Sequence, residues 1–206
     1  MKPAPSSADS RARGRPRGFD VDAITERALA AFWEQGYEAT SVADLLAATG
    51  LSASSVYAAY GSKQSLFRAA IQRYEEHMGR ALGDLADGDG GLADVVEFVE
   101  HVRAGIGSDA RPAGCLMVNT MVEVPARDPV IGELTSRYRA RIRESLERAL
   151  ARAERSGEIT RRSGRARAAL VQAALFGALV TGRAGAVDEA DRMLRGLISE
   201  IRRWGH

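Results

Sequence analysis

Four arginines at positions 11, 13, 15 and 17, and small hydroxyl side chains at Ser52, Ser54 and Ser55, are the residues of this chain best equipped for chemistry. Neither group activates a substrate. Arginines alternating with Gly and Pro in an extended segment can neutralise phosphates and enter a narrow groove. Serines on the opening turn of a helix present hydroxyls that both donate and accept. Thr40, Ser41 and Lys63 add donors of the kind that grip phosphate oxygens, and Tyr57 adds a flat, half-polar ring. Residues of enzymatic type are sparse. His77, His101 and His206 lack metal-ligand spacing, and the chain has no phosphate-binding glycine loop or nucleophile elbow. A Cys115–His101 pair is conceivable across two helices, yet no third residue offers itself to orient it. Asp87 and Asp89 lack the further oxygen ligands of a calcium loop. The expectation is no catalytic residue, no metal and no cofactor.

Helices must position these groups. Val21 to about Gln35 carries Ile24, Ala28, Leu29 and Phe32 on one face and ends at Gly36-Tyr37. Ser41 followed by Asp44 reads as a capping box, with Asp standing in for Glu. Val42, Leu45 and Leu46 give the helix it opens an apolar stripe, and Gly50 can take the left-handed conformation that ends it. Ser52 caps a second short helix, in which Val56 faces inward and Ala53, Ser54, Ser55 and Tyr57 face outward. Two short helices around a tight turn form a helix-turn-helix, whose second helix can lie in a major groove while the first crosses the backbone.

The order continues through Tyr60-Gly61-Ser62-Lys63 into a long helix. At those spacings, residues 19–77 closely resemble the DNA-binding domain of the tetracycline-repressor (TetR) family. The segment Gly114-Cys115-Leu116-Met117-Val118-Asn119 resembles the start of a core helix in one branch of that family. The resemblance implies an all-α fold: an N-terminal three-helix helix-turn-helix domain, then a larger C-terminal helical ligand-binding and dimerisation domain. It implies a ligand-responsive transcriptional regulator that binds a palindromic operator as a homodimer, repression being the family's usual mode. Carried over by position, Thr40, Ser41 and Lys63 meet phosphates, Tyr57 packs along the backbone or a thymine methyl, and Ala53, Ser54 and Ser55 approach base edges, with the capping Ser52 also counted among the DNA-binding residues. Arg13-Gly14-Arg15-Pro16, with Arg17, resembles the core of an AT-hook, an arm that inserts into an A·T minor groove. This chain departs from many relatives in having no Arg, Lys, Asn or Gln on the recognition turn, the side chains that make bidentate base contacts. Specificity is therefore expected from the arm, thymine methyls and DNA shape.

Composition agrees with a soluble helical protein: 45% hydrophobic and 27% charged residues in a chain of 206. No apolar run has the length of a membrane span, and the single cysteine suits a reducing interior, so a cytoplasmic location is expected. The net charge of +2 is unremarkable, but its distribution is not. Basic and acidic residues are equal in number over 1–63, and the positive charge gathers in the tail, leaving the reader itself acid-leaning. We divide the chain into a disordered basic arm (1–18), the reader (19–63), a connecting helix (64–84) and the effector and dimerisation domain (85–206).

Beyond the reader, periodicity predicts helices over about 62–83, 92–106, 113–124, 129–155, 162–181 and 187–204, for about nine in all, with Asp84–Gly91 as a loop. The arginine-rich face over 137–155 is interleaved with Glu144, Glu147 and Glu154 and reads as a solvated, ion-paired surface. The last two helices present Ala173, Phe176 and Val180, and Leu194, Leu197 and Ile201, an apolar surface broad enough for a second subunit. In the family the variable domain holds an effector pocket. Phe98, His101, Met117, Met121, Tyr138 and Phe176 fall near one another by helical periodicity, and their chemistry suits an apolar or aromatic ligand, though the same residues would line any core. Cys115, at a helix start, is a candidate redox or electrophile sensor, since helix N-termini favour thiolates. Against this, a buried cysteine usually packs as a small hydrophobe, and the chain has no second cysteine to resolve it. The rival reading is a helical protein-interaction module without specific DNA binding, which accounts for the bundle but not for the ordered reader and arm.

Overall fold

The computed structural model describes residues 20–106, 114–124 and 128–205, and all of their regular structure is helical. Three helices form the N-terminal unit. α1 (Val21–Gln35) starts where Asp20 accepts from the Ala23 amide, and it buries Ile24, Ala28, Leu29 and Phe32. α2 (Val42–Thr49) opens with the reciprocal Ser41–Asp44 capping box and closes at Gly50 with φ of 71°. α3 (Ala53–Tyr60) follows after a turn of 97°, capped by Ser52 and anchored by buried Val56. That angle and turn are the helix-turn-helix geometry.

α4 (Lys63–Asp87) spans 25 residues, about 37 Å at 1.5 Å per residue, and belongs to both halves of the molecule. Its N-terminal half buries Leu66, Phe67, Ala70 and Ile71 against α1, with the Phe67 ring 4.8 Å from Phe32 and 4.5 Å from Tyr37. The C-terminal half joins α5 (Leu92–Gly105), α6 (Leu116–Glu123), α7 (Pro129–Ser156), α8 (Gly164–Arg183) and α9 (Val187–Arg203). α8 packs chiefly on α9 and α7, and α9 also covers α5. Asp128 accepts from the Val130 and Ile131 amides ahead of Pro129, and left-handed Gly157 ends α7.

Three expectations are corrected. α4 does not stop near Gly83: a helical glycine costs about 1 kcal/mol, and the helix continues past it to bury Leu85 and Ala86. The arginine face of α7 is paired, but mostly with other helices. Arg141 meets Glu75 at 3.2 Å, Arg148 meets Asp87 at 2.5 Å, Arg152 meets Asp94 at 2.7 Å, and Arg143 donates to Gln172 at 2.8 Å. Glu154, expected among the intrahelical partners, instead accepts from the Gly164 amide at 2.6 Å. α6 begins at Leu116, and Ala113, its expected start, lies outside the described residues.

Arg152 is the tightest of these ties. Its guanidinium donates to the Ala86 and Leu85 carbonyls at 2.6 and 2.7 Å, where α4 has run out of partners of its own, while also holding Asp94. Both charged side chains are largely shielded, at 16% and 14% exposure. Arg152→Met therefore strands two carbonyls and leaves the Asp94 carboxylate only the Gly90 amide, and is expected to lower unfolding free energy by about 3 kcal/mol in urea titration. Arg148→Ala, whose partner pair is exposed, should change it by under about 1 kcal/mol. Equal losses from the two variants would overturn this reading.

Candidate nucleic-acid interface and cavity

The outward face of α3 carries the hydroxyl group predicted from sequence. Ser52 Oγ accepts from the Ser55 amide at 3.3 Å and lies 2.9 Å from both the Ser54 and Ser55 hydroxyls. Ser52, Ala53 and Ser54 are exposed, Ser55 is half-buried, and Tyr57 projects with 52% of its surface free. Tyr60 turns the other way, its hydroxyl 3.0 Å from Thr25 Oγ1, and fixes α3 to α1. Ser41 stands exposed at the start of α2, where free amides and the positive end of the helix suit an anion. The Asp44 carboxyl beside it is held below the usual carboxylate range by the Ser41 hydroxyl and amide.

All three predicted phosphate donors are already engaged: the Ser41 hydroxyl and amide donate to Asp44 Oδ2 at 2.6 and 2.8 Å. Thr40 is fully buried, and its hydroxyl donates to the Gly36 carbonyl at 2.5 Å, so it shapes the α1–α2 turn rather than facing outward. Lys63 Nζ lies 4.7 Å from the Tyr37 ring centre and 3.4 Å from the Glu38 carbonyl, which parks its charge at that same turn. Arg13, Arg15 and Arg17 lie outside the described residues. Sequence reasoning missed Arg27, whose guanidinium reaches the Thr49 carbonyl at 3.2 Å and so steadies the end of α2. Only the fold reveals that contact, because 22 residues separate the pair.

Behind the reader lies a cavity of about 50 Å³, walled by Trp33, Tyr74, Phe98, Cys115, Tyr138 and Phe176, with His101 at its edge. Met117 and Met121 do not line it. Met117 is fully buried in the core, and Met121 is half-buried against it, because α6 turns its Cys115–Val118 side to the cavity. Trp33, which sequence reasoning passed over, comes from the reader itself. It sits edge-on to Tyr74 at 5.1 Å and donates its indole N–H to the Gly114 carbonyl at 3.3 Å. Its signal was its position beside Phe32, widening the stripe of α1 to a second face.

The cavity's polar centre is Cys115, 5% exposed at the N-cap of α6. Tyr74 donates to its sulfur at 3.0 Å, and the Tyr138 hydroxyl lies 3.6 Å away. Burial pushes the Tyr74 phenol well above its ordinary 10.0, with Cys115 and Tyr138 adding to the shift. Burial likewise raises Tyr138. Among the described residues no group of His, Cys, Asp and Glu has the arrangement of a metal site, and no single helix is long and apolar enough to cross a membrane.

Residues 24–70 match the family described as bacterial regulatory proteins, tetR family, and residues 91–195 match the tetracyclin repressor-like C-terminal domain. The chain belongs to the TetR family. The HTH-type transcriptional repressor ComR of Escherichia coli is 35% identical over 155 residues, 72% of each chain. The TetR-family regulator CifR, solved as a cysteine mutant with 26-bp double-strand operator DNA, has a TM-score of 0.81 and 30% identity. That match covers 93% of this chain and all of CifR. A regulator from Chloroflexus aurantiacus shares the fold at a TM-score of 0.75 and 23% identity, over 88% of this chain and 91% of its own. As a TetR-family member, this chain is a DNA-binding transcriptional regulator.

The raised tyrosines carry a pH consequence. The folded state keeps protons that the unfolded chain releases near pH 10.0, so their stabilising contribution is intact below that value and lost as pH rises beyond it. Phenolate absorbance from Tyr74 and Tyr138 is therefore expected to appear only with loss of helical ellipticity, and Tyr74→Phe should flatten the alkaline fall in stability. Full ionisation of all 5 tyrosines in the still-folded protein would contradict this.

Proposed function

We propose that this regulator is a cytoplasmic, non-catalytic repressor that binds a palindromic operator as a homodimer and is released by a small apolar, aromatic or electrophilic effector. The observation that carries the reading is the pairing of an exposed hydroxyl-and-tyrosine face on α3 with a cavity whose wall includes α1's Trp33. The complex of CifR with operator DNA supports the DNA side. In this reading residues 19–63 read DNA: Ser41 and the α2 amides meet phosphate, Lys63 swings from Tyr37 to do the same, and Ser54, Ser55 and Tyr57 approach the groove. Arg13, Arg15 and Arg17 supply the minor-groove arm. Serine hydroxyls discriminate bases poorly, so the arm carries much of the affinity and DNA shape much of the specificity.

Residues 85–206 form the effector and dimerisation domain. Dimerisation through α8 and α9 is supported by apolar side chains left at their surface: Leu170, Val180 and Met193 are 62%, 40% and 38% exposed, with Phe176 and Leu197 half-buried beside them. The effector enters the aromatic cavity, and Cys115 with two phenols at its sulfur is where an electrophile or oxidant would act.

Selection from a random duplex pool tests the first part: a palindromic motif with A·T-rich flanks is expected, and no enrichment at low salt would sink the regulator reading in favour of an interaction module. Deleting residues 1–17 should weaken binding about tenfold or more, and more than Ser54→Ala with Ser55→Ala combined. The reverse ranking would transfer specificity to the serines. Mild oxidant or a thiol-alkylating reagent should release the DNA from the wild type and not from Cys115→Ser. Equal sensitivity of the two would remove the cysteine from the mechanism.

A further inference from the structure

Glu123, the last residue of α6, reaches out of the C-terminal domain into the reader. Its Oε2 accepts from the Tyr37 amide at 3.1 Å and its Oε1 from the Glu38 amide at 2.7 Å. The turn is shaped to receive it. Gly36 has φ of 93°, and a methyl group there would overlap the Glu123 carboxylate, so the backbone at this point is open for that side chain. The carbonyl of Gly36 in turn accepts from the Thr40 amide and hydroxyl at 3.3 and 2.5 Å, which places Ser41 at the start of α2. Lys63 closes the other side of the turn on Tyr37 and the Glu38 carbonyl. One carboxylate thus stands behind both Ser41 and Lys63.

The other end of α6 is the cavity. The helix has eight residues, about 12 Å of rigid rod, with cavity-lining Cys115 at its N-cap and Glu123 at its end. α6 thus links the cavity wall at Cys115 to the Tyr37 and Glu38 amides. A second tie runs beside it: Arg183 of α8 donates to the Trp33 and Glu34 carbonyls at 3.2 and 2.8 Å.

We propose that Glu123 is a positioning residue for DNA binding: bridging the Tyr37 and Glu38 amides, it sets the geometry of the 36–41 turn from the far end of the cavity helix. The proposal deepens the DNA-binding reading above and rests on it. It excludes the simpler view that Glu123 is an acidic neighbour that merely repels phosphate.

Amide exchange and operator binding on the full chain test it with Glu123→Ala and Glu123→Gln. In Glu123→Ala, exchange at Tyr37 and Glu38 should quicken tenfold or more, on the order expected for a lost charge-assisted bond, while amides of α7 and α9 keep wild-type protection. Affinity for the selected operator should fall by roughly tenfold on the same basis. Glu123→Gln removes the same charge but keeps an acceptor oxygen, and should recover part of both effects. Tighter operator binding by both variants would make Glu123 a repulsive charge and overturn the proposal. So would unchanged exchange at Tyr37 and Glu38, or faster exchange throughout the molecule, which would mark a general structural role. If the wild type enriches no DNA, the regulator reading fails, whereas the exchange measurement still decides whether Glu123 sets the turn.

Discussion

A helix end leaves backbone groups without partners, and at the end of α1, partly covered by the C-terminal domain, this molecule supplies them from other elements. The last carbonyls of a helix and the amides of the turn after it are costly to bury unpaired. Here the Trp33 and Glu34 carbonyls are taken by Arg183, the Tyr37 and Glu38 amides by Glu123, and the Gly36 carbonyl by Thr40. Two of those three partners come from the C-terminal domain. The reader is consequently not an independent head on a stalk, and its buried residues run without a break into the core that continues to Ile201. Everything that the C-terminal domain does to DNA binding can pass through this junction and through α4, the other element shared by both halves.

What was legible in the sequence was local. The capping box at Ser41 and Asp44, the Ser52 cap, the left-handed glycines 50 and 157 and the Asp128-Pro129 start each depend on residues within a few positions, so the helices they bound came out nearly in register. What was missed was decided across the fold. Gly83 reads as a stop, but distant Arg152 takes the carbonyls of Leu85 and Ala86, and the helix continues past the glycine to bury both. Thr40 reads as an outward donor, but the turn's own carbonyl claims its hydroxyl. Met117 and Met121 share a helix with Cys115, and periodicity could not say which of its sides the cavity occupies. Glu123 and Arg183 give no local signal at all, since their partners are 85 and more residues away.

The electrostatics of the reader follow the same division. Its folded face offers few free cations: Arg27 is spent on the Thr49 carbonyl, Arg73 on Glu26 and Glu76, and Lys63 on Tyr37 and Glu38. The attraction to a polyanion then draws on helix N-termini, on exposed Arg68 of α4, on Lys63 once released, and on the arginines before residue 20. In the proposed reading such an interface is short of long-range steering and of bidentate base contacts, and recognition rests mainly on fit. A reader that works by fit is sensitive to small changes in its own geometry. That makes the 36–41 turn an effective place to control it.

The size of the cavity then constrains what could control it. An apolar cavity of about 150 Å³ accepts benzene, whereas this one holds about 50 Å³. A ligand small enough to fill the existing space would contact the walls without displacing them. It would favour whichever form has this shape, since a ligand shifts an equilibrium only by its differential affinity for the two states. A larger ligand, or a group attached at Cys115, has to push the walls apart. Two of those walls, Trp33 and the start of α6, are tied directly to the reader through Arg183, Gly114 and Glu123. The tight cavity therefore sorts ligands by size: one that fits favours the present shape, and one that does not favours a shape in which these walls stand further apart.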